Sequence, residues 1–97
     1  MPGQESARQA VRHNPALRQF ELEVDGGAAI AVYRDIGNVM VFTHTETPSA
    51  SRGKGVAAEL VRGALNWARE HGRKVKPECS YVVAYLKRHP EFSDLTR

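Results

Sequence analysis

The chain carries a single cysteine among 97 residues, Cys79, so no internal disulfide can form and a reducing, cytoplasmic setting is expected. It has no long apolar run, which excludes a membrane-spanning helix from the expected architecture. The N-terminus lacks an apolar signal core, so secretion is not expected. There is no internal repeat, low-complexity tract or interdomain linker, and the length suits one domain. A strong excess of one charge is also missing. Fourteen Lys and Arg against eleven Asp and Glu give a net charge of +3, which suits an anionic ligand without demanding one. The cations are not interleaved with aromatic residues and match no recognition motif, which argues against nucleic acid. His13, His71 and His89 are not spaced with other ligands for a metal, so none is expected.

What is present is ordered along the chain. Residues 1–9 are polar and read as a flexible N-terminal arm, with the domain proper over 10–97. Ala10 to His13 suggests a short edge strand, and Asn14-Pro15 a turn. Phe20 to Val24 alternates apolar and acidic side chains, the mark of a half-buried strand. Asp25-Gly26 signals a hairpin, and Ala28 to Tyr33 the returning strand. Arg34 to Asn38 reads as a polar turn. Val39 to Phe42 is apolar on both faces, which predicts a central strand running on to Thr47, where Pro48 stops it.

The periodicity then changes. Val56, Ala57, Leu60, Val61, Ala64, Leu65, Trp67 and Ala68 share one broad face, an amphipathic helix closed by Gly72. Arg73 to Pro77 reads as a short strand. Ser80 reads as the N-cap of a second helix, Tyr81 to Arg88, which His89-Pro90 ends. The sum is an α/β domain with a mixed sheet: a β-meander followed by helix, strand and helix.

Between meander and helix lies Arg52-Gly53-Lys54-Gly55-Val56-Ala57. Glycines let backbone amides approach an anion without a Cβ in the way, and a helix start offers unpaired N–H groups at the positive end of its dipole. The turn is therefore a candidate phosphate site, set against the plainer reading of a cationic loop.

The spacing Arg-x-x-Gly-x-Ala in this context resembles the coenzyme A pyrophosphate loop of the GNAT N-acetyltransferase superfamily. His44-Thr45-Glu46, Arg52 to Gly55, Pro77 to Tyr81, Tyr85 and His89-Pro90-Glu91-Phe92 are similar to the small, minimal GNAT-like acetyltransferases. The resemblance covers about Val11 to Leu95. It implies a GNAT-like mixed sheet and acetyl-CoA held where two parallel strands splay apart. Thr45, Glu46, Thr47, Arg52, Gly53, Lys54, Gly55, Val56 and Ala57 are then the expected cofactor contacts. The long N-terminal helices that shape the acceptor site of larger relatives are missing here, so the acceptor, a small amine or a protein lysine or N-terminus, stays open.

Acetyl transfer to an amine needs a base, a stabilised carbonyl oxygen and a proton for the departing thiolate. Cys79, between a strand and a helix start, reads as a nucleophile, as a thiol lining the pocket, or as a small core residue. His44 and Glu46 lie two apart on one strand and share a face, so either can take the amine proton, or both are solvated. The resemblance favours Tyr85 over Tyr81 as the proton donor to the thiolate, against plain aromatic packing for both. Trp67 reads as core. The alternative to an enzyme is a non-catalytic module that binds or senses CoA or acyl-CoA.

Overall fold

The computed structural model describes residues 11–97, so the arm expected over 1–9 lies outside the described residues. Five strands form one sheet in the order β1-β2-β3-β4-β5: β1 (Arg12–Asn14), β2 (Gln19–Val24), β3 (Gly27–Ile36), β4 (Val39–Glu46) and β5 (Lys74–Pro77). The first four make an antiparallel meander. Helix α1 (Val56–Glu70) carries the chain over to β5, which lies parallel to β4. Helix α2 (Ser80–Arg88) and a 3-10 segment (Pro90–Thr96) follow.

Alternation along the strands puts Phe20, Leu22, Ala29, Ala31, Tyr33, Met40 and Phe42 on one face of the sheet. Against them α1 lays Leu60, Val61, Ala64, Leu65 and Ala68, the residues its helical period aligns. Val75 of β5, Val82 and Tyr85 of α2, and Phe92 and Leu95 of the 3-10 segment complete this core. Each large apolar side chain so buried contributes about 1.5–3 kcal/mol. Trp67 is half-buried at its margin and stacks on His71 at 3.8 Å. Gly63 has a packing role: a Cβ there would lie 2.5 Å from Val11, so the helix surface must be bare for the chain to enter β1.

Three local expectations shift. The first strand begins at Arg12 rather than Ala10. Arg34 to Asn38 is not all turn: β3 continues to Ile36, because Arg34 and Asp35 pair with Val41 and Met40. Asp35 also forms ion pairs with Arg18 and Arg73. The turn itself is Gly37-Asn38, with Gly37 at a φ of 58°. Cys79, not Ser80, is the N-cap of α2; its backbone is extended and its carbonyl accepts the Val83 amide at 3.0 Å. The 3-10 segment after Pro90 carries no periodicity that a sequence shows.

Candidate active site

The site is built by a break in the sheet. β3 and β4 pair in register up to Tyr33 opposite Phe42, then resume with Val32 opposite His44. Thr43 is the extra residue of this β-bulge, and its hydroxyl donates to the Val32 carbonyl at 3.4 Å. A bulge bends its strand and sharpens the twist. On the other side of β4, pairing with β5 ends at Phe42 opposite Pro77, which has no N–H to continue the ladder. The amides of Glu78 and Cys79 both turn onto the Phe42 carbonyl, at 2.9 and 3.0 Å. Beyond that point the two parallel strands part, and Thr43 to Glu46 faces a gap.

The glycine turn lies at the mouth of this gap. Ser49–Ser51 forms a 3-10 turn after Pro48. Ser51 is buried and its hydroxyl donates to the Asp25 carbonyl at 2.7 Å, which ties the loop to the β2–β3 hairpin. Gly26 permits this contact: at φ 90°, a Cβ on it would meet Ala50 at 3.3 Å. Arg52 donates to the Thr47 carbonyl at 3.3 Å and remains exposed. Gly53 and Gly55 are both left-handed, at φ 79° and 75°. Gly55 is the N-cap of α1, and no side chain caps the helix start. The first-turn amides are thus left to whatever occupies the cavity in front of them.

That cavity measures about 580 Å³. It is walled by β4 from His44 to Thr47, by Ser51, Arg52, Gly53 and Gly55, by the first turn of α1 at Val56, Ala57 and Ala58, and by Tyr81 of α2. Of the expected cofactor contacts, only Lys54 stands outside the wall, exposed to solvent.

The expected chemical groups are not all together. Cys79 lies across the gap from Thr45, with 3.6 Å between Sγ and the Thr45 hydroxyl. Burial pushes its thiol pKa up. Hydrogen bonds from the Val82 amide, the Thr45 hydroxyl, and the Tyr81 and Thr45 amides outweigh that, and the net direction is down. His44 and Glu46 sit on the opposite face of β4 from the core, both well exposed, with Nε2 and Oε2 3.5 Å apart. Tyr85 is elsewhere. It is buried, stacks on His89 at 4.0 Å, and lines an adjoining groove of about 320 Å³ that shares Gly55 and Ala58 with the cavity. Burial raises its hydroxyl pKa. Tyr81, the other tyrosine of α2, is the one in the cavity wall. The described residues contain no cluster of three or more His, Cys, Asp or Glu arranged for a metal.

Two contributors, Thr43 and Ser51, were not singled out in the sequence, and the ladder-stopping role of a third, Pro77, was not drawn from it. The bulge at Thr43 depends on cross-strand register, and Ser51 on a tertiary contact; neither leaves a local signal. Pro77 was readable in principle, since a proline at a strand end stops a ladder.

A mixed sheet whose parallel strands part beside a glycine turn and a helix start is an acetyltransferase-type fold. The chain belongs to the GCN5-related N-acetyltransferase family, whose model matches residues 19–95. It is similar to Protein NATD1 of mouse, at 35% identity over 83 residues, covering 82% of this chain and 76% of that one. Protein NATD1 of zebrafish is 32% identical over 95 residues, covering 95% and 86%. In fold it resembles the solution NMR structure of a GCN5-like protein from Staphylococcus aureus, with a TM-score of 0.68 at 20% identity over 94% of this chain and 90% of that one.

Proposed function

We propose that the protein is an acetyl-CoA-dependent N-acetyltransferase of the cytoplasm, transferring an acetyl group to an amine. The observation that carries this reading is the single cavity that joins an uncapped helix start to the gap between β4 and β5. The residues fit a diphosphate: left-handed Gly53 and Gly55 bare the backbone, the α1 amides supply donors, and Arg52 supplies charge. Acetyl-CoA, when bound, supplies an activated thioester.

The chain's own groups then have distinct tasks. Gly53 to Ala57 hold the anion and so fix the depth of the acyl end. His44 or Glu46, on the outer face of the sheet, accepts the proton the amine must lose before its nitrogen bonds the carbonyl carbon. As the carbon–sulfur bond breaks, the departing thiolate needs a proton, and Tyr81 in the wall is better placed to provide it than Tyr85. A second reading is favoured by the donors around Cys79: its thiolate takes the acetyl group first and passes it to the amine. Acid quench of enzyme mixed with acetyl-CoA alone, followed by intact mass, separates the two. An acetyl adduct that disappears in Cys79→Ala supports the covalent route; an unmodified chain with full turnover in Cys79→Ala leaves direct transfer.

The reading as a whole is tested by release of free CoA thiol from acetyl-CoA in the presence of an amine panel. Amine-dependent release supports an enzyme. Tight binding of acetyl-CoA with no release under any amine supports a non-catalytic acyl-CoA module instead.

A further inference from the structure

The face of the sheet opposite the core is uneven: Val41 is buried on it, whereas Ala28, Ile30 and Val32 are half-exposed. The core cluster lies wholly on the α1 side and omits Val41, whose side chain points the other way. On this outer face the register sets Glu23 beside Ala28, and Glu21 beside Ile30, which neighbours Glu46. Gln19, Val32 and His44 form the next row. An aliphatic strip, Ala28-Ile30-Val32, thus runs down β3 with carboxylates on both flanks, and its β4 flank is the segment that borders the gap.

Charge divides this face in two. Towards the other end lie Arg34, Lys74 and Lys76, with Glu78 paired to Arg34 at 3.3 Å. A cation is disfavoured there and favoured on the half next to the gap. Within that half, Glu21 is saturated by Arg12, Asn14 and Gln19. Glu23 and Glu46 are the exposed carboxylates, with side chains 56% and 65% accessible. From strand spacing and rise, their Cα atoms are roughly 12 Å apart, diagonally across the strip.

We propose that the half-exposed strip of this face beside the gap seats the acetyl acceptor, and that the acceptor is a linear aliphatic polyamine. The argument is charge complementarity combined with position. Methylenes lie along Ala28 and Ile30, a distal ammonium pairs with Glu23, and the reacting nitrogen is delivered past Glu46 and His44 into the gap. A single-charged amine can use only one of the two carboxylates. This inference rests on the N-acetyltransferase reading above and narrows it.

The test uses the full chain. Thermal shift with acetyl-CoA is measured first, then CoA release with a linear triamine, a monoamine of equal carbon count, and a lysine-containing peptide. The expected results are a clear shift and a lower KM for the triamine than for the other two. Glu23→Gln should raise the triamine KM by about three- to fivefold, the scale of one exposed charge pair, with kcat and the monoamine KM unchanged. Glu23→Asp should largely restore it. Arg12→Gln, which releases Glu23 from an exposed ion pair of 3.4 Å, should lower the triamine KM. Equal KM values for triamine and monoamine, preference for the peptide, or a Glu23→Gln effect on kcat alone would overturn the proposal while leaving the acetyltransferase reading in place. Absence of any shift with acetyl-CoA would overturn both.

Discussion

Cys79 shows how an ordinary side chain acquires chemistry from its surroundings. Its sulfur is partly buried, which by itself favours the neutral thiol. The amides at the start of α2 and the hydroxyl of Thr45 reverse the balance. Alkylation rate against pH should therefore show a midpoint below that of an ordinary thiol, and Thr45→Val should move it upward by deleting one donor. An unmoved midpoint in that variant would assign the shift to the helix start alone. His13 is the reverse case. Burial lowers its pKa, Asp35 opposes, and His71 and Arg73 reinforce it. Its Nε2 meets the Tyr33 hydroxyl at 2.5 Å, and its ring lies 4.6 Å from Phe20 and 4.2 Å from Trp67. A folded-state pKa below the unfolded value of about 6.5 means the unfolded chain binds the proton more readily. The stabilisation is fully present above that value and is lost as pH falls through the folded pKa. The melting temperature should fall between pH 7.5 and 5.5 in the wild type, and fall less in His13→Gln.

Among the elements, the turn into α1 and the bulge in β4 carry the site. Gly55 caps the helix in the left-handed region, where a side chain costs about 1–2 kcal/mol. Gly55→Ala should lose that much stability together with most of the affinity for acetyl-CoA. Gly63→Ala is the control. Its Cβ would collide with Val11 on a part of α1 remote from the cavity, and overpacking of this kind costs about 1–3 kcal/mol. It should lower the melting temperature yet keep the ligand-induced rise. Deleting Thr43 removes the extra residue without changing the face on which His44, Thr45 and Glu46 lie. The strand should then close on β5, and circular dichroism should show the sheet intact while the response to acetyl-CoA disappears. These two elements differ in how far a sequence reveals them. Arg52 to Ala57 is a contiguous motif at a change of period, and the helix behind it declares itself through Leu60, Val61, Ala64, Leu65 and Ala68. The bulge exists only as a mismatch between β3 and β4, and nothing within Val-Phe-Thr-His states which partner each residue will take.

For the molecule as a whole, the order of strands and helices follows from periodicity and turn chemistry, so the meander, the crossover and the parallel last strand were all legible. The interior of β3 beyond Tyr33 was not, because Arg34 and Asp35 look like turn residues until Val41, Met40 and Arg73 supply their partners. The same holds for α2. Tyr81 and Tyr85 lie one turn apart on one helix, and only the packing of the 3-10 segment decides that Tyr85 stacks on His89 while Tyr81 faces the cavity. The fold is therefore a sheet opened at one point, with a glycine turn and a helix start on one side of the opening and the outer sheet face on the other.

The central claim is that Gly53 to Ala57 and the gap beside them form one binding site for a diphosphate-bearing thioester. Isothermal titration of the full chain with acetyl-CoA tests it most directly. The account predicts one site per chain, an affinity that falls steeply in Gly55→Ala and in Arg52→Ala, and, at a hundredfold excess over Kd, a gain of about 2.7 kcal/mol in stability. No heat of binding, or an affinity indifferent to both substitutions, would contradict it.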